Sequence, residues 1–98
     1  SSVARTKSQD MIDKNYFSHN SPTYGSPFEM LTKFNIKYSA AGENIAKGQR
    51  TAQEVMNSWM NSSGHRKNIL SERYTEIGVG LAQDSQGVKY WTQMFIKP

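Results

Sequence analysis

The chain has 98 residues, enough for one domain and one core, and no cysteine, which excludes a disulfide framework, a Cys-rich zinc site and a cysteine nucleophile. No apolar run approaches the ~20 residues of a membrane span. The formal charge of +4 points toward an anionic partner, yet the basic residues are scattered rather than blocked, as solubility charge is, so no specific nucleic-acid partner is expected.

No internal repeat, low-complexity segment or linker interrupts the chain. Residues 3–15 are predicted helical, with Ala4, Met11 and Ile12 buried and Ser1 or Ser2 as cap. Residues 16–25 read as loop. In Ser26-Pro27-Phe28-Glu29, Ser26 caps, Pro27 suits the first helical position and Glu29 completes a capping box. The helix runs to about Phe34, with Phe28, Leu31 and Phe34 on one side. Residues 42–47 form a short extended piece. Thr51-Ala52-Gln53-Glu54 is a second capping box, opening a helix to about Ser62 with Val55, Met56, Trp59 and Met60 as core and Gly64 as its stop.

The last third carries a hairpin signal. Ile77, Val79 and Leu81 alternate with small or polar residues, and Asp84-Ser85-Gln86-Gly87 supplies the turn. The strand from Val88 to Ile96 is apolar or aromatic on both faces, which places it centrally with both sides covered. The expected fold is α+β, with helices packed on an antiparallel sheet.

Only two histidines are present, and both sit in loop-like sequence beside small polar residues: Phe17-Ser18-His19-Asn20 and Ser62-Ser63-Gly64-His65-Arg66. An imidazole can bind a metal or shuttle a proton near neutral pH. Either one alone reads first as a hydrogen-bonded structural histidine. Glu43, at the mouth of the short strand, is costly to bury unpaired and needs a histidine or a metal as partner. Two histidines with one carboxylate would make an open three-ligand site with room for water. Their separations are too long for a local metal motif. Glu54 is absorbed by its capping box, and Asn61-Ser62-Ser63 is a formal glycosylation sequon. No phosphate loop or nucleophile elbow is present, and nothing in the sequence singles out Ser62 or Ser63 with His65 as a hydrolytic pair.

Five ordered blocks resemble the CAP superfamily, the SCP-like domains of cysteine-rich secretory, antigen 5 and pathogenesis-related proteins, and its compact bacterial branch most of all. They are Tyr16-Phe17-Ser18-His19; Gly42-Glu43-Asn44-Ile45-Ala46; Trp59 through Leu70; Tyr74 through Gly80; and Tyr90 through Phe95. The resemblance implies an α-β-α sandwich with a mostly antiparallel central sheet, a C-terminal β-hairpin and a cleft on one face. It also implies an extracellular or cell-surface location.

Larger relatives line that cleft with two His and two acids, and His19, Glu43 and His65 match three of these. The second acid would fall near Ser62, where this chain has none, and Glu54 sits one turn too early to replace it. The leading helix of the family is expected to be shortened here, its packing missing or supplied by another copy. The three side chains are expected to converge from separate loops, with Gly42 and Gly64 turning the backbone and Asn44, Asn68 and Ser62 in support. Three roles are open, the first implied by the resemblance, the second by metal and acid/base chemistry and the third by the positive charge. They are a module binding a divalent cation, zinc first, with a wall or lipid-like ligand; a metal-assisted or acid/base hydrolase; and a charge-driven binder of an anionic wall polymer. A monomer or weak dimer is expected.

Overall fold

A central antiparallel sheet of three strands organises the chain, which a computed structural model describes over residues 2–98. The elements are α1 (Ser2–Asp13), α2 (Pro27–Lys33), β1 (Ala40–Lys47), α3 (Ala52–Met60), α4 (Ser63–Leu70), β2 (Glu76–Gln83) and β3 (Lys89–Lys97). The strand order is β1-β3-β2. Strand β3 is therefore central, and Tyr90 through Phe95 are buried on both faces, as its two-sided apolar sequence predicts. The β2–β3 hairpin closes where Asp84 Oδ1 accepts from the backbone N–H of Gln86 and Val88, both at 2.9 Å, with Gly87 at φ 84°.

Strand side chains alternate between faces, so the register assigns each residue to a layer. Glu43, Met94 and Gly78 share one face, and Asn44, Gln93 and Val79 the other. Helices α1 and α2 cover the first face, where Val3, Ala4, Met30, Leu31, Ala41 and Met94 form one core cluster. Met11, Ile45 and Tyr90 form another. Helix α3 covers the second face through Val55 and Trp59, packed on Ala46 and Trp91. The result is an α-β-α sandwich. Each fully buried large side chain contributes about 1.5–3 kcal/mol. Among the described residues, no helix is long and apolar enough to cross a membrane.

Several local expectations change. The cap at Ser1 lies outside the described residues, and Ser2 is already helical. The Ser26 capping box forms as read. In the second box Thr51 accepts from the Glu54 N–H, but Glu54 Oε2 accepts from the N–H of Arg50, not of Thr51. Phe28 is exposed and tilts against Tyr38, while Leu31 is buried. Ile77, Val79 and Leu81 are also exposed: the small residues between them, Gly78, Gly80 and Ala82, share the α1 side of the sheet, while α3 and α4 lie over β1 on the other side.

The largest correction concerns residues 63–70. Gly64 does not stop α3, which ends at Met60 with Asn61 as its C-cap. Gly64 lies in the first turn of a further helix, α4, so His65 is helical rather than in a loop. The segment is polar, with no fully buried residue, so apolar periodicity could not mark it.

Candidate functional site

The site lies along the outer edge of β1. That strand pairs only with β3, and side chains rather than a further strand cover its other edge. A cleft of about 480 Å³ is lined by three consecutive residues of that strand, Ile45, Ala46 and Lys47. Consecutive strand residues point to opposite faces, so a hollow that touches all three straddles the edge. His19 enters from the loop after α1, and His65 from α4. Trp59, Phe17, Gln49, Ser58 and Ser62 complete the walls. The three expected residues thus arrive on a loop, a strand and a helix, not on three loops.

Each imidazole has its Nδ1 held. His19 Nδ1 lies 2.8 Å from Glu43 Oε1. The histidine side chain is 53% exposed and the glutamate side chain 1%, so the carboxylate sits behind the ring. His65 Nδ1 lies 2.8 Å from Ser62 Oγ. Ser62 is the N-cap of α4, yet its side chain makes no cap hydrogen bond; it is used on the ring. A partner on Nδ1 fixes the ring plane and leaves Nε2 as the atom presented to a ligand.

An amide relay holds the backbone of α4 to β1. Asn44, fully buried, donates to the His65 carbonyl and to Gln93 Oε1, both at 3.1 Å. Asn68 donates to Asn44 Oδ1 at 2.9 Å and to the Glu43 carbonyl at 3.3 Å. Gly42 has a different task from the one expected. A Cβ there would meet the Tyr74 hydroxyl at 2.7 Å, so glycine makes room for that ring, whose OH donates to the Ala41 carbonyl. Trp59 Nε1–H donates to the Ile45 carbonyl at 3.1 Å, and Trp91 Nε1–H to that of Gln49 at 2.9 Å.

The electrostatics favour a neutral His65. Burial lowers its pKa below the ordinary 6.5, and the His19 charge adds in the same direction. Two buried side-chain oxygens have no hydrogen-bond partner among the described residues, Glu43 Oε2 and Gln49 Oε1. Both atoms are buried, one behind His19 and the other on a residue of the cleft wall.

The three-ligand metal set does not fit. Among the described residues, no group of three or more His, Asp or Glu side chains is arranged to hold a metal ion. Glu43 is committed to His19 Nδ1 and supports that ring instead of standing beside it as a ligand. What remains for a cation is a pair of Nε2 atoms.

Sequence reasoning missed the groups beneath His19. Lys7, 1% exposed, donates to the His19 carbonyl at 2.9 Å and lies 5.0 Å from the centre of the Tyr16 ring. Asp10, also buried, accepts from the Tyr16 hydroxyl and Ser21 Oγ, both at 2.5 Å. A signal was present: positions 4, 7, 8 and 11 make one helical stripe, and two polar residues, Lys7 and Ser8, interrupt it.

The α-β-α sandwich on a three-stranded antiparallel sheet is the fold of SCP-like domains. The chain belongs to the CAP family, described as the cysteine-rich secretory protein family, which it matches over residues 1–95. It is 62% identical over 96 residues to the uncharacterised protein YkwD of Bacillus subtilis (strain 168), covering 98% of this chain and 36% of that protein. It is 43% identical over 95 residues to the uncharacterised membrane protein YlbC of the same organism, covering 97% of this chain and 26% of that protein. The chain thus spans about a third or less of the length of these relatives.

Among solved structures it is similar to an extracellular protein containing an SCP domain from Bacillus anthracis str. Ames. The TM-score is 0.91 and the identity 42%, over 99% of this chain and 31% of that one. An outer surface protein from Borrelia burgdorferi shares the fold at TM-score 0.88 and 19% identity, covering 98% of this chain and 71% of that one.

Proposed function

We propose that the domain is an extracellular binding module whose cleft takes its ligand through Nε2 of His19 and His65. One observation carries the reading: the only two histidines of the chain line one cleft, each with Nδ1 occupied by a different partner. Such rings offer nitrogen donors to a divalent cation, zinc above all, with the other coordination positions left to the ligand or water. Ser18, Gln49, Ser58 and Ser62 along the walls favour a ligand that can hydrogen-bond, as a wall polymer can. Phe17, exposed at the cleft, adds apolar surface that a lipid-like ligand would also use. The extracellular location is supported by the SCP-domain protein of B. anthracis.

Zinc titration by calorimetry tests the reading. Wild type should bind, and His19→Ala and His65→Ala should each lose most of the affinity. Equal affinity in all three proteins would remove the cleft from consideration.

A hydrolase is the second reading, favoured by the carboxylate–imidazole pair of Glu43 and His19 at 2.8 Å. In it Glu43 orients the ring and His19 acts as general base. Turnover of peptidoglycan or peptide that survives Glu43→Gln would rule it out.

A further inference from the structure

We propose that Lys7 and Asp10 of α1 are the positioning residues of the site: from inside the core they hold the loop that aims His19 into the cleft. The proposal rests on the binding role of His19 given above and extends it to residues that never touch the ligand.

The two charges lie one helical turn apart and both are buried. Burying a lysine and an aspartate costs free energy unless each is well partnered, so their partners show what they do. Every polar side-chain bond they make reaches the same loop. The loop starts where α1 ends: Asn15 takes a left-handed φ of 53° and the Tyr16 N–H bonds the Met11 carbonyl at 3.0 Å. Asp10 Oδ2 accepts from Tyr16 at one end of the following stretch and from Ser21 at the other, both at 2.5 Å. Ser21 Oγ in turn accepts from the N–H of Thr23 and Tyr24, both at 3.0 Å. Between these two anchors, Lys7 Nζ donates to the carbonyl of His19 itself at 2.9 Å.

His19 is thus held twice, its backbone by Lys7 and its ring by Glu43. Those two holding groups also attract each other: Glu43 is the stronger of the two acidic charges acting on Lys7, ahead of Asp10. The lysine stem runs through the α1 core while its ammonium faces the loop, the inward counterpart of a surface lysine reaching for water. Lys7 sets where the His19 backbone stands, and through that which tautomer Glu43 selects. With Nδ1–H donated to Glu43, the Nε2 lone pair is left for the cleft.

The test uses this chain with Lys7→Met, which keeps an unbranched apolar stem and removes the donor, and Lys7→Arg, which restores one. The tautomer of His19 is read by long-range 1H–15N correlation without metal, and zinc affinity by calorimetry. Wild type should show the Nδ1–H form. Lys7→Met should show a mixture of tautomers and bind zinc about tenfold or more weakly, in the range seen when a ligand's supporting partner is lost. Lys7→Arg should recover most of both. A folded Lys7→Met protein with the wild-type tautomer overturns the proposal. If Lys7→Met does not fold, Tyr16→Phe removes one Asp10 bond while keeping the ring; an unchanged His19 signal there overturns it equally. A wild type that ignores zinc but whose His19 tautomer depends on Lys7 leaves the positioning role standing and removes the cation reading.

Discussion

Replacing Gly80 by alanine should be among the most damaging small changes this chain can suffer. A Cβ at that position would stand 2.1 Å from the Arg5 nitrogen and 2.3 Å from the Ala4 carbonyl carbon, both of α1. Ordinary contact begins near 3.4 Å, so the helix has to retreat by about 1.3 Å. The obstacle is backbone, so no rotamer change relieves it. Overpacking of a tight core costs about 1–3 kcal/mol, and a rigid neighbour puts this case at the upper end. Retreat of α1 also strains the bonds of Ser8 Oγ to the Gly80 carbonyl and to Thr92 Oγ1, each worth about 1 kcal/mol. The sum is about 3–4 kcal/mol, a large share of the ~5–15 kcal/mol that holds a domain together. At ~4–8 °C per kcal/mol, thermal melting should drop by about 12–30 °C. A drop below about 4 °C would refute the claim that α1 lies directly against β2.

Asn44→Ala should cost about 2–4 kcal/mol in urea denaturation, because it strands the buried Gln93 amide and the half-buried Asn68 amide that bond it; a loss under about 1 kcal/mol would contradict the relay. Ser62→Ala should leave stability within about 0.5 kcal/mol, since the hydroxyl caps nothing, while weakening zinc binding through a freed His65 ring; equal zinc affinity would show that the Ser62 bond does not orient the ring. His65 has its pKa lowered from 6.5 by burial, so between the folded-state value and 6.5 the unfolded chain holds more protons. Stability should therefore rise with pH through that window, and His65→Gln should lack this component when urea midpoints are compared at about pH 5 and about pH 7.5. An identical pH slope in the variant would contradict it.

The parts of the fold that were legible in the sequence are those where one local signal dominates. The strand from Val88 onward is apolar on both faces, and the hairpin turn carries Asp84 and Gly87 at the positions that need them. Ser26-Pro27-Phe28-Glu29 forms its capping box unchanged. What was not legible depends on tertiary context. Helix α4 has no apolar stripe; the amide relay from Asn44 and the packing of Ile69 on the α3 core tie it to the sheet. Ile77, Val79 and Leu81 mark a strand by alternation, yet the face against α1 is the one that carries Gly80, where the helix backbone approaches closely. At the site, the two histidines and Glu43 were visible as chemistry. Their division of labour was not, because alternation puts Glu43 and Asn44 on opposite faces but only the packed fold sets one beneath His19 and the other beneath α4.

The central claim is that two distant imidazoles serve one hollow at the edge of β1. Zinc titration followed by the ring resonances of both histidines tests it most directly. The two sets should move together, along one saturation curve that ends at a single equivalent. Movement of one ring alone, or two curves with different midpoints, would contradict the claim.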